Sequence, residues 1–309
     1  MTPLNNTNPV FVHWLGITLP PDFELNRVFK EVLQLPSNLF MLRQRGREGY
    51  RSCYANDGQT ISILTDGGHF AMGHHITITG TACEALGTRV IDVALTTIRL
   101  GGKISRIDLA VDDRSGILNM SEVEACIRGL RYTTRFRSPP RIECSVDKKT
   151  GRELGKWIKF GKRNSEMYIR IYDKAAEQQQ KGSWVRVEIE AKGKNATEIM
   201  RRVEQGKTLG EMLFGLLVNY IAFREKSRDP NRSRWPYAKW WSQFLGEVER
   251  IQLGTGRANE SEKRVDWFIT TMDKTLARVV DRHGPAILHE MLESGRRKNE
   301  IKHLPSEAA

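Results

Sequence analysis

Three short runs carry side chains suited to phosphoryl chemistry: RIDLAVDD (Arg106 to Asp113), MYIRIYDK (Met167 to Lys174) and WVRVEIEAKG (Trp184 to Gly193). In each, charged or hydroxyl-bearing residues alternate with Ile, Leu or Val, the period of a strand with two unlike faces. Asp108 and Asp112 then share a face, as do Tyr168, Arg170 and Tyr172, and Arg186, Glu188 and Glu190. As neighbours in one sheet, the runs would gather carboxylates, phenols and guanidinium groups on one surface.

Asp108, Asp112 and Glu188 are the candidate metal ligands, with Asp113 and Glu190 secondary, because Mg2+ and Mn2+ favour carboxylate oxygens. Such a cation polarises a phosphodiester and neutralises the charge that builds on it. The competing reading is an ordinary cross-strand ion network with Arg106, Arg170 or Arg186. Tyr168 and Tyr172 are the candidate nucleophiles. A tyrosyl oxygen attacking phosphorus leaves a covalent phosphotyrosine that keeps the bond available for rejoining. A phenol of pKa ~10 needs a cation or a base beside it. The plainer alternative is that tyrosines suit strands. Lys162 and Arg163 in the GKRNS turn (Gly161 to Ser165), with Arg170, Lys174 and Arg186, are the candidate DNA contacts. His74 and His75 are rejected as a metal pair, since adjacent strand residues face opposite ways.

The elements that must position these residues read as an α+β fold, with a mainly antiparallel sheet core and packed helices. Val10 to Leu19 opens as a strand and Tyr50 to Thr79 reads as a meander with turn signals at Asn56-Asp57-Gly58 and Asp66-Gly67-Gly68. Helical spacing runs from Thr81 to Leu100, and Ser121 with Glu124 suggests a capping box. Lys148 to Gly155 reads as a polar loop and AAEQQQKG as helical. Two domains are expected: 1–225, the α+β catalytic domain, and a smaller helical one over 226–309, with helices at 237–251, 265–283 and 285–293. The run REKSRDPNRSR (Arg224 to Arg234) is a linker or exposed basic loop able to touch DNA. Trp235, Trp240 and Trp241 could stack on bases, but their helical spacing fits a core stripe better.

The 309 residues, 39% hydrophobic, are enough for a sizeable core. The 49 Lys and Arg exceed the 37 Asp and Glu, a formal charge of +12, which favours a polyanionic partner, nucleic acid first. Cys53, Cys83, Cys126 and Cys144 are widely spaced and read as reduced thiols of a cytoplasmic protein. No signal peptide opens the chain and no apolar run reaches the ~20 residues that span a bilayer, so no membrane partner is expected.

Taken in order, RIDLAVDD, then GKRNS with YIRIYDK, then WVRVEIEAKG resemble the plasmid and phage replication initiation factor family, the Rep-trans rolling-circle initiators and related relaxases. HWLGITLP, ITITGTACEAL and DKTLARVVDRHG extend the likeness over most of the chain. The resemblance implies an origin-specific, metal-dependent nicking and rejoining endonuclease with a tyrosine nucleophile. It implies a single-stranded or cruciform nick site, a dimer in many cases, and a host helicase. One position departs from the pattern. Where many relatives carry a tyrosine just before the glycine of the G-x-R-x-S turn, this chain has Lys159 in KWIKFG. Tyr172, in the best-matched motif, is ranked first as the replacement and Tyr168 second. The alternative is a catalytically silent protein that binds an origin or operator. A general RNA-binding or basic scaffold role would leave the charged strands without a purpose.

Overall fold

The protein is described from a computed structural model, in which residues 8–43, 45–151, 153–253, 272 and 275–302 are placed. It divides into two compact units, Met1–Gly254 and Thr255–Ala309.

The first unit opens with β1 (Val10–Thr18) and α1 (Leu25–Arg27), which continues as one π-helical turn over Val28–Leu33. A meander follows: β2 (Met41–Arg43), β3 (Tyr50–Ala55), β4 (Ile61–Gly67) and β5 (His75–Ile78). Then come α2 (Gly80–Leu86), α3 (Arg89–Arg99), β6 (Lys103–Asp113) and α4 (Met120–Arg128). After β7 (Tyr132–Thr134), a second meander is built from β8 (Arg141–Val146), β9 (Glu153–Phe160), β10 (Met167–Asp173) and β11 (Val185–Lys192), with α5 (Lys174–Glu177) inserted. It ends with α6 (Gly193–Glu204), α7 (Leu209–Tyr220), β12 (Ile221–Phe223) and α8 (Lys239–Leu245).

Ten strands form one sheet in the order β2-β3-β4-β5-β1-β6-β11-β10-β9-β8, every pairing antiparallel. The order is a mirror. Each half starts with a central strand, β1 or β6, leaves through a helix, returns as a four-stranded meander from the edge, and closes with two helices. The three charged runs are therefore neighbours, β6, β11 and β10, near the sheet's middle.

Alternation explains why. Ile107, Leu109, Val111, Val187 and Ile189 are fully buried in a core shared with Ile199 and Met200 of α6 and Leu213 and Leu216 of α7. The intervening residues must occupy the opposite face. Two bulges interrupt the β1–β6 ladder. His13 is the extra residue between Val12 and Trp14, and Ser105 the extra one between Ile104 and Arg106. Gly16 permits the second: a Cβ there would lie 2.8 Å from Ser105 Oγ.

Several expected elements differ. The helix over 81–100 is two helices parted at Gly87–Thr88. The N-cap of α4 is Asn119, whose side chain accepts from Ser121 N and Glu122 N; the capping box belongs to Thr208 and Glu211 at α7. The expected polar loop over 148–155 is shorter: residues 148–150 form a turn, and β9 begins at Glu153 and pairs with β8. Only Lys174–Glu177 of the Gln-rich segment is helical. The first compact unit also runs past the expected limit at 225. Trp241 and Phe244 of α8 are fully buried, with Trp241 edge-on to Phe223 at 4.9 Å, which ties residues up to 253 to α7 and β12. Trp241 is core and Trp240 packs half-buried against it, while Trp235 stays half-exposed outside the core. The second unit contains α9 (275–283) and α10 (Ala286–Lys302); the part of the expected 265–283 helix before 272 lies outside the described residues. Cys53, Cys83, Cys126 and Cys144 are all free thiols. Among the described residues, no helix is long and apolar enough to cross a membrane.

Candidate active site

Cross-strand register sets the chemistry. On one face Asp108 lies opposite Glu190, Ala110 opposite Glu188, and Glu190 and Glu188 opposite Tyr168 and Arg170. Asp108, Glu188 and Glu190 are each at most 1% exposed. Three buried carboxylates would repel one another and suffer heavily from desolvation unless cations were interleaved. Two arginines do this. Arg106 grips Asp108 through both nitrogens, Nε to Oδ1 at 2.8 Å and Nη2 to Oδ2 at 2.7 Å, and touches Glu190 at 2.9 Å. Arg170 Nη2 bridges Glu188 at 2.7 Å and Asp108 at 3.3 Å, and Lys192 closes the far side of Glu190 at 2.7 Å. Burial still pushes the Asp108 carboxyl above its ordinary range, against the pull of Arg106.

Glu188 is the hub. Its Oε1 accepts the Tyr172 hydroxyl at 2.9 Å and lies 3.0 Å from His13 Nδ1. The bulge in β1 re-aims His13 toward this carboxylate, as bulges beside functional sites do. Burial, then the charge of Arg186, lowers His13 to about 4, with Asp108 opposing, so the imidazole is neutral at physiological pH. Tyr172 is 4% exposed. Burial first, then the Glu188 charge, raises its pKa, which keeps the phenol protonated and donating to Glu188.

The other candidate residues are placed differently. Asp112 is not brought together with Asp108 and Glu188: it forms a bidentate pair with Arg186, Nε to Oδ1 at 2.6 Å and Nη2 to Oδ2 at 2.8 Å. This pair lines a cleft of ≈ 610 Å³ with His13, Lys174 and Trp184. Arg170 and Arg186 face inward onto carboxylates and Lys174 is paired with Glu177, so none of the three is a free surface cation. Lys162 and Arg163 are exposed at the β9–β10 turn. Gly161 is required there: its φ is +86°, and a Cβ would meet the Phe136 ring at 2.9 Å. Tyr168 is buried beside the network, with Arg170 5.9 Å from its ring centre. Asp113 points away, accepting from Ser115 N and Leu118 N. His74 and His75 part as expected, one to Phe23 O and the other to Thr18 Oγ1. Lys159 shares the face of Arg170, opposite it in register, and pairs with Glu143. Sequence reasoning missed His13. The only sign of it was its place in the opening strand, and the bulge that aims it leaves no mark in the residue pattern.

Asp108 and Glu188 with the neutral His13 form a donor set of hard oxygens and an imidazole, chemically suited to a divalent cation. Both Glu190 oxygens, which meet the charges of Lys192 and Arg106, and Arg170 Nε are buried without an aligned hydrogen bond, so the network is short of partners, as a site awaiting a ligand would be. As it stands, the arginines hold the central place. Among the described residues, no three His, Cys, Asp or Glu side chains converge closely enough to hold a metal without movement.

Residues 102–292 match the family described as replication initiation factor. Residues 9–94 match the rolling circle replication initiation protein N-terminal domain. A Bacillus subtilis (strain 168) protein named as a DNA relaxase, NicK, is 25% identical over 274 residues, 84% of this chain and 77% of that protein. The solved structure of a rolling circle replication initiator protein from Geobacillus stearothermophilus superposes with a TM-score of 0.70 at 28% identity, over 79% of this chain and 98% of that one.

Proposed function

The chain belongs to the replication initiation factor family, and from that premise we propose that it starts rolling-circle replication by nicking and rejoining one strand of its own origin through Tyr172. The observation that carries this reading is the Tyr172–Glu188–His13 constellation beside the arginine-bridged carboxylates. In the nicking step Tyr172 Oη bonds to the scissile phosphorus and the P–O3′ bond breaks. The phenol proton passes to Glu188, the released 3′ oxygen takes up a proton, and the 5′ phosphate stays on the tyrosine. Attack by the 3′ hydroxyl reverses the step and rejoins the strand. An incoming phosphate competes for Arg106 and Arg170, whose guanidinium groups suit phosphate oxygens as well as carboxylates. Drawing them off would open the cluster and expose Tyr172. Asp108, Glu188 and His13 are the residues that would hold the divalent cation on which the family generally depends, Mg2+ or Mn2+, supplying charge neutralisation at the phosphate when bound.

The proposed substrate is origin DNA presented single-stranded or as a cruciform, with a host helicase following the nick and a second copy of the chain acting in a dimer. The proposed site of action is the cytoplasm.

A second reading rests on Lys159. It occupies the carboxylate-bearing face where many relatives carry tyrosine, while the Tyr172 hydroxyl is buried. In that reading the chain binds an origin or operator and does not nick. One experiment separates the two. The full chain is incubated with Mn2+ and single-stranded oligonucleotides tiling its origin, and covalent adducts are mapped by peptide mass. An adduct on Tyr172 is expected. Binding with no adduct on any tyrosine would establish the silent reading.

A further inference from the structure

Away from the carboxylates, residues 131–141 and 224–234 lie side by side. β7 pairs with β12, Arg224 N donates to Arg131 O at 2.8 Å, and the Arg232 guanidinium reaches Leu130 O at 3.2 Å. The first segment, RYTTRFRSPPR, has four arginines and no acid; the second, REKSRDPNRSR, has five cations and two acids. Both acids are engaged locally. Asp229 accepts from Asn231 N and faces Arg234 at 3.8 Å, and Glu225 accepts from Lys239 N. Arg135, Arg224 and Arg232 are committed to Asn219, Trp235 O and Leu130 O. Arg131, Arg137, Lys226 and Arg228 have no such partner among the described residues, and the last three are exposed.

Between the segments lies an open groove of ≈ 590 Å³, lined by Tyr132, Thr133 and Thr134 on one side and Asn231, Arg232 and Ser233 on the other. Its lining is mostly hydroxyl, amide and guanidinium, with Pro230 and the ring of Tyr132 beside them. Phe136 packs on Gly161, so Arg135 and Arg137 border the turn that carries the exposed Lys162 and Arg163. A positive stripe thus leads from that turn, next to the carboxylate face, into the groove.

We propose that this groove and its unpaired cations dock double-stranded DNA flanking the nick site; the inference rests on the nicking reading and adds a second, separate DNA surface to it. Charge complementarity identifies nucleic acid. The state of the aromatics favours a duplex over a single strand. Single strands are held by open aromatic platforms on which bases stack. Here Phe136 stacks on Tyr220 at 5.1 Å, Arg224 covers Tyr237 at 4.4 Å, Tyr132 in the groove wall is half-buried and edge-on to Phe160 at 6.5 Å, and Trp235 is half-buried with its N–H tied to Asp229 O. What stays available is phosphate-binding cations and small hydroxyls, which hold a duplex by its backbone.

The test uses the full chain carrying Arg131→Ala, Arg137→Ala and Arg228→Ala together. Affinity for a duplex from the nick-site flank is measured across a salt series, alongside adduct formation on a single-stranded nick-site oligonucleotide. The slope of log affinity against log salt should shrink by about 0.9 per lost phosphate contact, close to three in all. Duplex affinity at physiological salt should fall on the order of 10- to 100-fold, while single-strand adduct formation is unchanged. A control with Lys30→Ala, Arg45→Ala and Lys148→Ala removes the same charge from other exposed positions and should keep the wild-type slope. An unchanged slope in the first variant, an equal drop in the control, or an equal loss on single-stranded DNA would each overturn the proposal. A chain that forms no adduct but loses duplex affinity in the first variant keeps this surface and loses the nucleophile instead.

Discussion

The two halves of the sheet share a topology and differ in what they bury. The row Lys192–Arg106–Gly16–Thr77–Ser62 crosses the β1–β6 boundary on one face, charged on one side and neutral on the other. In the β1–β5 half, Thr18 meets His75 at 3.0 Å and Arg47 donates to Ser62 at 2.6 Å. In the β6–β11 half, the equivalent strands bury three carboxylates under two arginines. The two family matches fall on the same division, 9–94 and 102–292. Hydrogen bonds to hydroxyls, with no buried carboxylate among its described residues, suffice to close such a face, as the first half demonstrates. Buried ions cost several kcal/mol each in desolvation, and their pairing seldom returns a net gain in stability. The asymmetry is therefore better explained by chemistry concentrated in the β6–β11 half, to which β1 lends His13, than by folding.

The sharpest way to break this comparison is to remove the phenol. Tyr172→Phe should abolish the covalent adduct entirely and destabilise the chain by about 1.5–3 kcal/mol, the worth of a hydrogen bond to a charged group. Tyr168→Phe should leave adduct formation within a few-fold. Gel detection of the adduct reads both, and an adduct surviving Tyr172→Phe would transfer the role to another tyrosine. Glu188→Gln comes next. It keeps the shape but neither takes the Tyr172 proton nor offsets Arg170, so nicking should fall by roughly 10²- to 10⁴-fold. Glu188→Ala should in addition cost about 3–5 kcal/mol in denaturant unfolding, because Arg170 is left without its closest carboxylate.

Much of this half was legible beforehand. The alternation of charge and β-branched residues in RIDLAVDD, YIRIYDK and WVRVEIEAKG is what a strand buried on both faces looks like when one face is ionic. It placed Asp108, Glu188 and Tyr172 on a common surface. Register was not legible. Asp112 belongs to the same strand face as Asp108, but it lies opposite Arg186, four residues along, and is drawn into that pair. The inward turn of Arg170 follows from the same buried carboxylates and that of Arg186 from the half-buried Asp112, since a charge with acids on its own sheet does not wait for DNA. His13 was hidden because a bulge breaks the alternation that sequence reading relies on. The helix break at Gly87 and the late end of the first unit were hidden for a related reason: tertiary packing, by Trp241 and Phe244 above all, overrides local pattern.

His13, which β1 lends to the carboxylate cluster, also gives that cluster its own acid sensitivity. Its folded pKa of about 4 lies below the unfolded value of 6.5. Between those values the unfolded chain binds more protons, so stability is full above pH 6.5 and is lost as the pH falls toward 4. At about 1.4 kcal/mol per pH unit, the loss on going from pH 7 to pH 5 is about 2 kcal/mol. His75 on β5, away from the carboxylate cluster, is lowered in the same direction by burial, though less far. His13→Gln should flatten the pH dependence of the urea midpoint by most of that amount, and His75→Gln by less. Equal flattening by the two would remove the electrostatic distinction between the carboxylate cluster and the face beyond it.

The smallest effect is expected where the neutral half is disturbed. Thr77 is 8% exposed and lies opposite Gly16 and Ser62, with its hydroxyl 3.5 Å from His75 Nε2, a weak contact. Thr77→Val keeps the volume and the β-branch and removes only that hydroxyl, so stability should change by no more than about 1 kcal/mol. Adduct formation should be that of the wild type, since no charge in the β6–β11 half is touched. The row that joins Thr77 to Arg106 passes through Gly16, which has no side chain to carry a displacement across. A clear loss of nicking in Thr77→Val, with the melting transition intact, would mean that the neutral half takes part in the reaction beyond lending His13 and that the division drawn at the β1–β6 boundary is wrong.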